Sequence, residues 1–169
     1  FNRFLPIDPG APFLEATVEL SRRADGSLAA VLATRAVSRS GAMTRTKSHA
    51  AAVFGGPAET AAELPLDLAA APEGVCLTLA GEGIYPELVA FGPAYRNLVT
   101  LHLSRAGAVA DVATPAIPAA GPLGSPFAFD AAMHAACIWG QRFAGIVPFP
   151  VGFDERRVFL PTRPGEGYW

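Results

Sequence analysis

One segment of this chain can carry a long helix, and that dictates how the rest must be used. The run Phe127 to Phe143 contains no proline, in a chain of 169 residues that includes 17 Gly and 16 Pro. Ser125 stands where an N-cap belongs, Pro126 suits the first helical position, and Gly145 falls where a helix stops. The other segments are short and strand-like. Phe13 to Leu20 alternates loosely, Arg23-Ala24-Asp25-Gly26 reads as a hairpin turn, and Ser27 to Val37 and His49 to Phe54 follow as strands. Val75 to Ala80, Asn97 to Ser104 and Ala108 to Thr114 form a second group, the last two joined by an Arg105-Ala106-Gly107 turn. Within Asn97 to Ser104 the period of two predicts Leu98, Thr100 and His102 on one face and Val99, Leu101 and Leu103 on the other. Val147 to Val151 and Arg157 to Leu160 read as closing strands, and Pro161 to Trp169 as an exposed end or docking arm. Antiparallel strands plus one apolar helix predict an α+β fold with a sheet wrapped around a buried helix.

Composition removes several functions. The formal net charge is -2 and Lys47 is the only lysine, with no basic stripe for nucleic acid. Cys76 and Cys137 are too few for a disulfide framework or a metal cluster. Apolar runs are short and broken by Pro or charge, so no membrane span is expected. No secretory signal opens the chain. It starts at Phe1, so further sequence is expected upstream.

Three constellations could carry chemistry. Asp130 and His134 lie four apart on the helix, hence on one face, among Phe127, Phe129, Met133, Ile138 and several alanines. Burial there would raise the carboxyl pKa and make Asp130 a proton donor near neutral pH. The helix N-terminus pulls the other way, more weakly. A plain i,i+4 pair on a half-exposed face is the alternative. Phe91-Gly92-Pro93-Ala94-Tyr95 precedes a strand and reads as a substrate-channel wall or as an ordinary strand-entry turn. Val147-Pro148-Phe149-Pro150 reads as the lip of an apolar tunnel or as an edge strand blocked by its prolines. His49 and His102 sit on predicted strands and read as structural, and Cys137 as a packing residue.

Taken in order, these features resemble the dehydratase domain of polyketide and polyunsaturated fatty acid synthases, over most of the chain. That family has a double hotdog fold: two halves, each a curved sheet around a long helix. Its second half carries an aromatic-Gly-Pro-x-aromatic motif, matched by Phe91-Gly92-Pro93-Ala94-Tyr95. An Asp-x3-Gln/His motif on the helix follows, matched by Asp130 and His134, and then a Leu-Pro-Phe-like strand, matched by Val147-Pro148-Phe149. Phe4-Leu5-Pro6-Ile7 through Phe54, with its His49-Ala50 pair, looks like the close of a first half. Ile84-Tyr85-Pro86 resembles iterative enediyne or polyunsaturated fatty acid systems. The resemblance implies residues 1–56 as closing strands of the first half, 57–73 as linker and 74–169 as the second half.

The family's general base, a His in a His-x3-Gly-x4-Pro motif, is absent. Val and Ala stand at the glycine positions after His49 and His102. The resemblance therefore implies that the base lies upstream of Phe1, or else that the domain is degenerate. It implies elimination of water from a β-hydroxyacyl thioester, with Asp130 as proton donor and His134 holding it. Phe91, Gly92, Pro93, Tyr95, Pro148 and Phe149 would line the substrate path. No cofactor or metal is implied, because the substrate rides on the phosphopantetheine arm of an acyl carrier protein. Expected partners are that carrier, the other synthase domains and a second copy in a homodimer, in the cytoplasm, with no nucleic acid or membrane. A product-template-like cyclase, a hotdog thioesterase, and a non-catalytic scaffold or carrier-docking module are the competing functions.

Overall fold

The computed structural model describes residues 5, 10, 13–38, 41, 43–55, 74–85, 87–118 and 123–169. The expected linker 57–73 lies outside them. Two compact units divide the chain: Phe1–Thr60 with Val151–Glu155, and Ala61–Pro150 with Arg156–Trp169.

The first unit contains an antiparallel meander of β1 (Thr17–Arg22), β2 (Leu28–Val37) and β3 (Thr44–Phe54). The predicted hairpin turn is present. Gly26 takes φ +84°, and Asp25 Oδ1 accepts hydrogen bonds from the Ser27 amide (3.0 Å) and hydroxyl (2.6 Å). β3 begins at Thr44 rather than at His49, and a bulge interrupts its pairing: Leu32 faces Ala50, while Ala33 faces Ser48. His49 is the extra residue. It is 3% exposed, and its Nε2 lies 2.8 Å from Thr34 Oγ1, a structural role consistent with the sequence. Ala33 and His49 are the buried positions of this sheet, while Val18, Leu20, Val37 and Val53 stay exposed.

In the second unit, β4 (Leu77–Ala80), β5 (Leu98–Ser104), β6 (Gly107–Ala113) and β7 (Gly167–Tyr168) form an antiparallel sheet in that order. A single turn, α1 (Gly81–Ile84), follows β4, and the long helix α2 (Pro126–Trp139) continues as a π-helical turn, Gly140–Ala144. Gly145 closes it in the left-handed region at φ 66°, where the sequence places the stop. Ser125 sits at the N-cap position, but its side chain makes no capping hydrogen bond. Its backbone is clasped instead by Thr162, whose carbonyl accepts the Ser125 amide (2.8 Å) and whose hydroxyl donates to the Ser125 carbonyl (2.8 Å).

The core lies between α2 and the sheet: Ala131, Ala135 and Ile138 against Leu98, Leu101, Leu103 and Val112, closed by Ile84, Tyr85 and Val89. Alanine on the buried helix face lets the backbone approach the strands closely. The predicted face assignment of β5 fails at two residues, Leu98 and Val99. Leu98 pairs with Val112 and Thr100 with Asp111, so Val99 is extra, and a one-residue bulge moves Leu98 to the face of Leu101 and Leu103. The predicted closing strands at 147–151 and 157–160 are not strands. Pro148 and Pro150 remove two ladder donors, and the edge of β6 is taken instead by Gly167–Tyr168, so the tail does not hang free.

Leu101→Ala is expected to destabilise the protein by about 2–5 kcal/mol, since Leu101 is fully buried. Val99→Ala, at the half-exposed bulge, should stay within about 0.5 kcal/mol. Denaturant midpoints would show this. Equal losses would mean that β5 runs without the bulge.

Candidate active site

Gly81 decides where the site is built. A Cβ there would collide with the Leu98 carbonyl oxygen, so only glycine lets the β4–α1 corner press against the start of β5. One turn later Tyr85 is delivered into the core, its amide bonded to the Gly81 carbonyl (3.1 Å). Its hydroxyl oxygen accepts the Leu98 amide at 3.4 Å.

Across from it, α2 presents His134, 3% exposed. His134 Nδ1 lies 3.0 Å from the Tyr85 hydroxyl, and Nε2 lies 3.1 Å from Asp130 Oδ2. The last pair is at contact distance but off the hydrogen-bonding angle, so both atoms are buried without an aligned partner. Catalytic hydrogen bonds are often misaligned until substrate is bound. The imidazole is boxed by rings: Phe91 lies against it at 4.1 Å between centroids, tilted 34°, and Tyr85 meets it edge-on at 5.8 Å. Asp130 keeps 32% of its side-chain exposure, so it is a partly exposed carboxyl beside a buried histidine, and of the two readings the sequence left open it is nearer the half-exposed pair than the buried acid.

The Phe91–Tyr95 loop is fixed from both sides. Arg96 Nε donates to the Phe91 carbonyl (2.9 Å), Gln141 Nε2 donates to the Leu88 carbonyl (3.2 Å), and Pro93–Tyr95 is a tight 3₁₀ turn. Tyr95 packs on Phe127 in the first turn of α2, 5.2 Å between ring centroids. Nothing lies within 4 Å of where a Gly92 Cβ would stand, so among the described residues Gly92 opens onto free space. Asp130, His134 and Phe91 are thus brought together, with Gly92, Pro93 and Tyr95 in the adjoining loop.

Pro148 is placed elsewhere. It packs against Gly140, ten residues beyond Asp130 and hence about 15 Å along the helix axis, and Phe149 is 70% exposed. Sequence reasoning missed two residues of this region. Tyr85 drew notice only as part of a tripeptide, and Asn97 drew none. Asn97 is 3% exposed, and its Nδ2 has no partner among the described residues. No local pattern announces either.

No helix among the described residues is long and apolar enough to cross a membrane. No family model matches the chain, and no curated protein matches it. Among solved structures, a trans-AT PKS dehydratase domain from Brevibacillus brevis is similar, with a TM-score of 0.53 and 19% identity over 72% of this chain and 44% of that one. The chain therefore spans less than half the length of that structure. The likeness fixes the fold as α+β of the hotdog type, as the motifs implied.

Burial drives the Tyr85 hydroxyl above its ordinary 10.0, against the Leu98 and Asn97 amides, which favour the phenolate. A folded pKa above the unfolded one means the native state holds its proton longer. This contribution is therefore complete below pH 10 and is lost as pH rises through the raised value. Unfolding midpoints measured across alkaline pH should fall less steeply in Tyr85→Phe than in the wild type.

Proposed function

We propose that this chain supplies the acid side of a dehydratase site that removes water from a β-hydroxyacyl thioester. The observation that carries the reading is the asymmetric carboxyl of Asp130. Oδ2 is buried 3.1 Å from His134 Nε2, while the side chain as a whole keeps 32% exposure. A carboxyl with one oxygen buried and part of its side chain accessible can donate a proton toward the accessible side. A base takes the α-proton, its C–H electron pair forms the new double bond, the β-carbon–oxygen bond breaks, and Asp130 protonates the departing hydroxyl as water. The likeness to a synthase dehydratase domain supports this choice among the reactions a helix carboxyl could serve. The base is not part of the Asp130 cluster among the described residues. By the resemblance it belongs to a His-x3-Gly-x4-Pro segment of the same synthase.

In this reading the acyl chain arrives on the phosphopantetheine arm of a carrier protein and the domain uses no cofactor of its own. It works in the cytoplasm as a homodimer beside the other domains of a polyketide or fatty acid synthase. The iterative enediyne or polyunsaturated fatty acid type is the subfamily that Ile84-Tyr85-Pro86 favours. Phe91 and Tyr95 form one wall of the acyl path, and the open side of Gly92 gives the chain room.

Asp130→Asn in the complete synthase should lower dehydration by on the order of a hundred- to ten-thousand-fold, read as enoyl thioester by mass, with an unchanged circular dichroism spectrum. Wild-type turnover in that variant would remove Asp130 from the chemistry. Ring closure without a net loss of water would favour a cyclase.

A further inference from the structure

We infer that Tyr85 is a positioning residue that locks His134 in the tautomer with its proton on Nε2, and so confines the transferable proton of Asp130 to Oδ1. The lock itself follows from a count of donors and acceptors; its catalytic meaning rests on the dehydratase reading.

The phenol of Tyr85 offers one donor and two acceptor sites. The Leu98 amide already occupies the oxygen as acceptor, and the residue is 7% exposed. Besides backbone amides, which can only donate to it, the polar group bonded to that hydroxyl is His134 Nδ1. If Nδ1 carried the proton, it would donate to the phenol oxygen and leave the phenolic hydrogen buried with no acceptor. With Asp130 ionised it would also turn the bare Nε2 lone pair toward the carboxylate, acceptor against acceptor. A doubly protonated ring strands the same phenolic hydrogen. A buried donor left unpaired costs about 1–3 kcal/mol. With the proton on Nε2, the Leu98 N–H goes to Tyr85 and the Tyr85 O–H to Nδ1, while Nε2–H lies 3.1 Å from Oδ2, an attractive contact although off the hydrogen-bonding angle. The rise in the Tyr85 pKa that burial produces keeps this phenol a donor over the working range.

The consequence falls on the acid. Oδ2 is buried 3.1 Å from Nε2, so a proton placed on it would crowd the Nε2–H, and the transferable proton of Asp130 is assigned to Oδ1. Both Tyr85 and Phe91 hold the ring, but differently. Phe91 fixes its plane by stacking at 4.1 Å, whereas Tyr85 fixes which nitrogen is protonated.

The test is nitrogen NMR of the His134 imidazole in the complete protein, paired with dehydration kinetics. The expected spectrum shows a protonated Nε2 and a bare, hydrogen-bonded Nδ1. In Tyr85→Phe the two signals should move together toward a tautomer mixture, and kcat should fall about ten-fold with KM nearly unchanged. A proton on Nδ1 in the wild type, or an unmoved spectrum in Tyr85→Phe, would overturn the assignment. Should Tyr85→Phe fail to fold, the wild-type spectrum alone decides it. The two claims fail separately. The expected spectra in a protein that dehydrates nothing would refute the dehydratase reading and leave the lock standing. Loss of dehydration in Asp130→Asn beside a proton on Nδ1 would do the reverse.

Discussion

An imidazole buried as deeply as His134 must satisfy two ring nitrogens that want different partners, and much of the second unit is arranged around that need. One nitrogen meets a phenol that is itself anchored to the backbone of β5; the other meets a carboxyl one helical turn away. Meeting both demands fixes α2 in rotation about its axis. It also requires the corner at Gly81 to lie against Leu98, or Tyr85 would not reach the ring. Small residues at Ala131 and Ala135 then let the helix approach the sheet. The polar chain is thus threaded through the same core contacts that hold the fold, so a packing defect near Leu98 would be felt at Asp130. Buried polar networks behave well only when every member is satisfied, and here the one loose link, Asp130 with His134, faces the side left open.

How much of this the sequence revealed depended on range. The helix was legible because its signals are local: Pro126 at its start, an unbroken run, and Gly145 adopting the left-handed conformation that ends it. Most strands were legible from alternation. What failed was parity across bulges, because the period of two carries no mark where a residue is inserted. Val99 is such an insertion, and it puts Leu98, the residue before it, on the face opposite to the one that alternation predicts. The closing strands were misjudged for another reason: Val147 to Val151 has the apolar composition of a strand, but two prolines deny it a ladder.

At the site, the Asp130–His134 pair was visible because four residues along a helix is a fixed distance. Tyr85 was not, since it meets His134 from 49 residues away through a turn that only a glycine permits. Phe91 came into view as part of a motif, and the structure gives that motif a physical job by laying the ring on the imidazole. Pro148 and Phe149 belonged to a motif as well, yet they stand near the far end of α2. The hotdog fold alone does not choose a reaction; the proposed one rests on the partly exposed Asp130 carboxyl with Oδ2 buried beside His134.

The most direct measurement follows the oxygen. The complete protein would be incubated with a carrier-bound β-hydroxyacyl thioester in water enriched in heavy oxygen, and the recovered acyl chain examined by mass. If Asp130 donates its proton to a departing hydroxyl, enoyl thioester accumulates, and reversal places solvent oxygen on the β-carbon, with both signals lost in Asp130→Asn. Label found only in a released carboxylate would show thioester hydrolysis instead. A chain that returns unlabelled and still hydroxylated would contradict dehydration at this site.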